Sequence, residues 1–238
     1  MVHFIGAGSG AADLITVRGA RLLSEADVLI WAGSLVNPAL LSYAREDCEI
    51  HNSAELTLED VIRIIEKAEA EGKTTVRLHT GDPSLFGAVR EQYDALDERG
   101  IEYDVCPGVS AFCGAAAALR AEYTLPEVSQ TVIITRTEGK TPVPERERLR
   151  SLAAHRATMV LFLSASLAKE TQTELLSGGY PAETPAAVVY RATWPDERAL
   201  RCTVGTLAET MESNRIKKTA LILVGDFLGD RYERSKLY

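Results

Sequence analysis

The sequence predicts an α/β protein made of two α/β domains, the first on a mainly parallel sheet and the second on a mixed sheet. Three observations carry that expectation. Short apolar strands alternate with helical periodicity through the first half, whereas beyond Leu125 and Pro126 the strands lengthen and become richer in β-branched residues. The length of 238 residues, against about 150 per domain, leaves room for one large or two small domains. The boundary is therefore placed between domains 1–124 and 125–238, with no low-complexity linker between them, and a ligand cleft between the two is expected.

Each element follows from local chemistry. An apolar strand at residues 2–5 enters a glycine turn, a helix from about Thr16 carries Ala20, Leu22 and Leu23, and a strand follows at 28–31. Thr57 and Asp60 have capping-box spacing, Leu58, Val61, Ile62 and Ile65 line one helical face, and Gly72 ends the helix. A strand at 74–79, a helix at 85–99 closed by Gly100, a strand at 103–106 and a small-residue helix from Ala111 to Ala118 complete the first domain. That small-residue helix is expected to be tightly packed and buried. In the second domain strands are expected at 131–136, 158–164, 186–192, 200–205 and 220–227. A turn at Pro195 and Asp196 and a helix near 206–213 separate the last three, which makes part of this sheet antiparallel.

Composition excludes several classes. Hydrophobic residues form 46% and charged residues 25% of the chain, the balance of a globular protein. With 26 basic and 34 acidic residues the net charge is −8, without the basic excess that nucleic-acid binding uses. No apolar run approaches the roughly 20 residues of a membrane span, and the N-terminus lacks a signal-peptide pattern, so a cytoplasmic protein without a membrane partner is expected. Cys48, Cys106, Cys113 and Cys202 form no CxxC pair and the histidines no HExxH, so no metal site is expected.

Four glycine-centred segments invite a ligand. Gly6-Ala7-Gly8-Ser9-Gly10-Ala11 follows a strand and satisfies GxGxxA, but a dinucleotide site also needs an acid at the end of the second strand. Trp31, Ala32 and Gly33 stand there, and Asp27 precedes that strand, at its wrong end. The residues leave a phosphate role and a tight turn both open. Gly139-Lys140-Thr141 fails as a P-loop, because Ile134 occupies the earlier glycine position and Pro142 interrupts the following helix. Thr80-Gly81-Asp82-Pro83 and Pro107-Gly108-Val109-Ser110-Ala111 fall at the carboxyl ends of expected parallel strands, where open α/β sheets bind ligands. Asp82 offers an exposed turn carboxylate to a ribose hydroxyl or an amine, and Ser110 opens a helix with free N–H groups; simple turn chemistry accounts for the same residues.

Five ordered segments together carry a resemblance that runs along nearly the whole chain: GAGSGAADLIT near the start, HTGDPSLFGA at 79–88, PGVSAF at 107–112, TRTEGKTPVPE at 135–145 and VVYRATWPDE at 188–197. The chain resembles the tetrapyrrole methylase family, and the last two segments resemble its branch that methylates carbon 11 of precorrin-4 or cobalt-precorrin-4 in cobalamin biosynthesis. The resemblance implies an S-adenosylmethionine-dependent C-methyltransferase, a homodimer, with the cofactor held between two α/β domains. It implies cofactor contacts at Thr80, Gly81, Asp82, Leu85, Ser110, Ala111, Leu163, Ala192 and Ala220. The GxGxG loop would then border the substrate trough instead of a pyrophosphate. In that loop GSGAA replaces the family's GPGDP, so Ser9 and Ala12 stand where prolines are common.

Methyl transfer to an electron-rich macrocycle carbon needs alignment more than a strong base, so no catalytic residue is named. Glu138 is a candidate to accept a later proton, or a loop or oligomer-interface residue. The substrate's acetate and propionate arms require local cations, for which Arg18, Arg136, Lys140, Arg191 and Arg198 are candidates. Arg136 and Lys140 flank the branch-like segment and, with Ser9 and Glu138, form the expected substrate set. The alternatives are methylation at another position, as in uroporphyrinogen III or precorrin-2, a protein substrate of the diphthamide type, an NAD-dependent oxidoreductase, and a binding module without turnover.

Overall fold

Five short strands, each ending in a turn at its carboxyl end, set the architecture of the first half. They are β1 (Val2–Gly6), β2 (Val28–Trp31), β3 (Glu49–Asn52), β4 (Thr75–His79) and β5 (Tyr103–Cys106), interleaved with α1 (Val17–Ser24), α2 (Leu58–Ala70), α3 (Arg90–Asp97) and, after β5, α4 (Ala111–Leu119). All pairs are parallel, in the order β3-β2-β4-β1-β5. The computed structural model describes residues 1–234. It divides into two units, Met1–Gly114 and a second that begins at Ala115. The division falls within α4, ahead of the change in strand character at Leu125.

Helices cover both faces of the first sheet, so its inner strands are largely buried, continuously apolar in β2 but interrupted by His3 in β1 and by Thr75, Arg77 and His79 in β4. Ile5, Leu29, Val76 and Leu78 pack with Leu22 and Leu23 of α1 on one face. Phe4 and Ile30 pack with Val61, Ile62 and Ile65 of α2 and Leu96 of α3 on the other. Full burial of a side chain such as Ile65 stabilises by about 1.5–3 kcal/mol. The Thr57–Asp60 capping box forms as expected, with both reciprocal bonds present. Gly72 follows at φ 69°, a conformation that costs glycine little.

Two differences from the sequence reading have local causes. Edge strand β3 carries Glu49, His51 and Asn52, which give no apolar signal. The helix expected from residue 85 begins at Arg90, because residues 82–89 form a turn in which Phe86 and Ala88 take φ of 54° and 48°. In α4, Ala115 and Leu119 are buried, but Cys113 and Ala117 face outward, so the helix is less enclosed than its small residues imply.

The second unit adds β6 (Val132–Arg136), α5 (Leu149–Ala153), β7 (Thr158–Phe162), α6 (Ala168–Ser177), β8 (Pro185–Tyr190), β9 (Arg198–Thr203), α7 (Leu207–Ser213) and β10 (Ala220–Val224). The order is β6-β7-β10-β8-β9; β6 and β7 are parallel and the other pairs antiparallel, a mixed sheet. Met159, Leu161, Val188 and Ile222 pack with Leu149, Leu175 and Leu207 of the three helices. Three strands stop earlier than their apolar runs because the next residues enter the left-handed region: Leu163 at φ 52° after β7, Arg191 at 47° after β8 and Gly225 at 140° after β10. Helix α6 escaped detection because its first turns, from Ala168 to Thr173, are almost wholly polar.

Candidate functional site

In the first unit the ends of β1, β4 and β5 bring three glycines into direct backbone contact. A Cβ on Gly6 would lie 2.5 Å from the Gly81 carbonyl oxygen and 2.6 Å from the Gly108 Cα; one on Gly108 would lie 2.1 Å from the same oxygen. No side chain fits there. Ala7 N donates to the His79 carbonyl at 2.7 Å, and Gly8 and Gly81 exchange N–H···O bonds of 3.3 and 3.0 Å. The positive φ of Gly8 (84°) and Gly81 (58°) makes that crossing possible. The three glycine turns quoted from the sequence are therefore one backbone surface.

Asp82 ties this surface together and is not the exposed turn carboxylate the sequence reading expects. One oxygen accepts from Ser84 N at 2.9 Å and also from the Ser84 hydroxyl; the other accepts from Gly108 N at 2.8 Å. Burial works to raise its pKa, but the Ser84 and Gly108 donors outweigh it and hold the carboxyl below its ordinary value. Thr80 is exposed, Gly81 buried and Leu85 half-buried. Ser110, 5% exposed, opens α4 by accepting Cys113 N at its carbonyl, with half-buried Ala111 next in the chain. Ser9 is buried in the first turn.

The dinucleotide reading finds no support in this arrangement. Asp27 lies at the amino end of β2, where it accepts Thr74 N at 2.8 Å and pairs with Arg45 at 3.0 Å. Its carboxylate is spent on the fold.

In the second unit, strand register places Arg136, Leu163, Ala192 and Ala220 at one end of the sheet, since Arg136 pairs with Phe162, Ile222 with Leu161, and Ala220 with Tyr190. Ala192 and Ala220 are buried, whereas Leu163 is 66% exposed and takes a left-handed conformation. The neighbouring Ser164 hydroxyl accepts Thr137 N at 2.8 Å and donates to the Phe162 carbonyl at 2.7 Å, and the Thr137 and Thr171 hydroxyls meet at 2.7 Å. This fully buried network, which sequence reasoning missed, fixes the start of the 137–145 loop.

The candidate cations separate into two groups. Arg136 donates to the Thr141 and Pro142 carbonyls at 3.0 and 2.9 Å and so folds its own loop. Arg191 pairs with Asp196 at 2.7 Å and lies 4.1 Å over the Trp194 ring, while Arg198 covers Tyr190 and donates to the Asn214 carbonyl. Arg18 and Lys140 are exposed, and Glu138 lies 3.8 Å from Arg148.

The structure also draws out His79, the first residue of the HTGDPSLFGA segment, to which sequence reasoning gave no role because its burial depends on distant elements. At the end of β4 it is 5% exposed and stacked on Phe4 with centroids 5.8 Å apart. Its Nε2 has no hydrogen-bond partner, the one such buried side-chain atom among the described residues. Burial, reinforced by the positive Arg77, lowers its pKa to about 3. Arg77, 7% exposed on the same strand face, is lowered by burial to about 10 and donates to Gln92 Oε1 and the Ile30 carbonyl. No cluster of three His, Cys, Asp or Glu suited to a metal occurs among the described residues, and no helix among them is long and apolar enough to cross a membrane.

The family profile described as Tetrapyrrole (Corrin/Porphyrin) Methylases matches residues 1–208. A Methanocaldococcus jannaschii protein named cobalt-precorrin-4 C(11)-methyltransferase is 52% identical over all of this chain and 92% of its own length. A solved cobalt precorrin-4 methyltransferase superposes with a TM-score of 0.94 at 45% identity, covering 96% of both chains. The uroporphyrin-III C-methyltransferase of Thermus thermophilus, solved with S-adenosylhomocysteine, matches with a TM-score of 0.81 at 26% identity, over 98% of this chain and 95% of that one.

Proposed function

The chain belongs to the tetrapyrrole methylase family, and from that membership we propose that it methylates carbon 11 of precorrin-4 or cobalt-precorrin-4, with S-adenosylmethionine as donor, in cobalamin biosynthesis. It is an S-adenosylmethionine-dependent C-methyltransferase. The observation that carries the reading is the contact of Gly6, Gly81 and Gly108, whose backbones pack against one another and hold the three strand-end turns as one surface for a ligand. Bound there, S-adenosylmethionine supplies an electrophilic methyl group for in-line displacement by a nucleophilic carbon.

The protein's part is to hold and orient. Thr80, Gly81, Asp82, Leu85, Ser110 and Ala111 in the first unit, with Leu163, Ala192 and Ala220 in the second, are the proposed donor contacts. Asp82 acts by holding the Gly81 and Gly108 turns in one surface, because both of its oxygens accept from the protein. Such preorganisation supplies acceleration without an acid or base. For the macrocycle, Ser9, Arg136, Glu138 and Lys140 form the proposed contact set. Arg136 shapes the loop that presents Lys140, whose exposed ammonium is suited to a carboxylate arm.

Incubation with precorrin-4 or its cobalt form and donor labelled at the methyl carbon, followed by NMR of the product, tests the reading. The expected result is one new methyl at carbon 11; a methyl elsewhere, or no transfer to either substrate, overturns it. The proposal includes a homodimer in the cytoplasm. Sedimentation equilibrium that finds a monomer at micromolar concentration would refute the dimer.

A further inference from the structure

We propose that His79, with Arg77 behind it, is a carboxylate-recognition point of the first unit: His79 Nε2–H donates to a carboxylate of a bound ligand. The inference rests on the proposed methyl transfer, since both of its ligands carry carboxylates: the acetate and propionate arms of the tetrapyrrole and the methionyl group of the donor.

Three observations converge. Nε2 is the one buried side-chain nitrogen or oxygen without a partner among the described residues, and a native fold that keeps such an atom forgoes a hydrogen bond unless something outside the protein completes it. The imidazole is fixed in place: it stacks on Phe4 at an interplanar angle of 22°, and its own carbonyl accepts Ala7 N from the first glycine turn. It is also the last residue of β4, immediately before Thr80 and the glycine cradle.

Arg77 decides the charge of the missing partner. Alternation along β4 puts Arg77 and His79 on one face. The guanidinium bonds to a neutral amide oxygen and a neutral carbonyl, and no ion pair to a carboxylate is found for it among the described residues. A buried cation without an acid is costly, and a carboxylate at His79 would relieve that cost while accepting the imidazole N–H. The depressed pKa of His79 fits the same picture, for the imidazole is neutral before a ligand arrives, and it is the tautomer protonated at Nε2 that offers its N–H to the carboxylate.

His79→Phe keeps an aromatic ring against Phe4 and removes the nitrogen, and His79→Gln keeps a neutral donor. Both variants and the parent are titrated calorimetrically with S-adenosylhomocysteine and with precorrin-4, and thermal melts are recorded. In His79→Phe the affinity for one ligand should fall about tenfold or more, the effect of one hydrogen bond to a charged group. His79→Gln should retain most of it, and the melting temperature of His79→Phe should not fall. A loss confined to precorrin-4 assigns the carboxylate to a macrocycle arm; a loss confined to S-adenosylhomocysteine assigns it to the donor. Unchanged affinity for both overturns the proposal and leaves Nε2 with a buried water only. Should His79→Phe not fold, the imidazole ¹⁵N resonance of His79 in the parent gives the same answer: it shifts on saturation with one ligand, or its constancy refutes the role. A parent protein that binds neither ligand overturns the proposed function itself, a result distinct from an unchanged His79→Phe.

Discussion

The two candidate regions are held in opposite ways. In the first unit the Gly6, Gly81 and Gly108 backbones touch and leave no space for a Cβ; in the second, side chains shape the strand ends, through Ser164 bound to Thr137 and Arg136 bound to its own loop carbonyls. A site made of backbone resists substitution but is hard to retune. One made of side chains on left-handed residues such as Leu163 and Arg191 accepts local strain and is free to vary in what it presents. The comparison teaches how differently two strand-end surfaces of one chain tolerate change: the backbone surface admits no added side chain, whereas the side-chain surface is altered one residue at a time.

The largest test of that contrast is Gly108→Ala. Its new Cβ would meet the Gly81 carbonyl oxygen at 2.1 Å, backbone against backbone, so the turns must separate. A loss of about 3 kcal/mol is expected in chemical denaturation, with S-adenosylhomocysteine binding abolished. A variant of parental stability and affinity would show that the cradle is not rigid.

Asp82→Ala comes next. It leaves Gly108 N without its acceptor, at a cost of about 1–3 kcal/mol, and should weaken donor binding as well, so stability and affinity fall together. The pH dependence follows from the lowered native pKa. An acid whose native pKa lies below its unfolded value, here 3.8, contributes stability that is complete above that value and is lost as pH falls through the native pKa. The parent minus Asp82→Ala difference in stability should therefore shrink in acid, and a difference that grows there would contradict the hydrogen-bond geometry.

Leu163→Gly should act in the opposite sense. Glycine relieves a left-handed strain of roughly 1–2 kcal/mol, partly offset by its greater unfolded freedom, so folding is unharmed or slightly improved while donor affinity declines. A more stable variant with undiminished affinity would remove Leu163 from the site.

The smallest effect on stability belongs to Lys140→Ala, expected to be within about 0.5 kcal/mol of the parent because the side chain is exposed. Its tetrapyrrole affinity should nonetheless drop about tenfold at low salt, and the difference should narrow as salt screens the contact. Equal binding at low salt would leave the loop without a role toward the carboxylate arms. Arg136→Ala, by contrast, releases the Thr141 and Pro142 carbonyls and should disturb the whole loop.

By itself the sequence determined what depends on near neighbours and on motif order. Glycine at Gly6, Gly81 and Gly108, the capping box at Thr57 and Asp60, and the apolar spacing of α2 are local, and five ordered segments suffice to mark the family. The tertiary structure alone decided which polar groups are already spent. Asp82 finds its acceptor role at Gly108, 26 residues away, Asp27 meets Thr74, 47 residues away, and Arg136 closes on its own loop. The reverse holds for His79, to which the sequence gives no role beyond opening the HTGDPSLFGA segment until burial against Phe4 leaves its Nε2 without a partner. The physical reason is the same in each case: whether a charge or an imidazole is available to a ligand depends on its burial and partners, and contacts between distant segments set both.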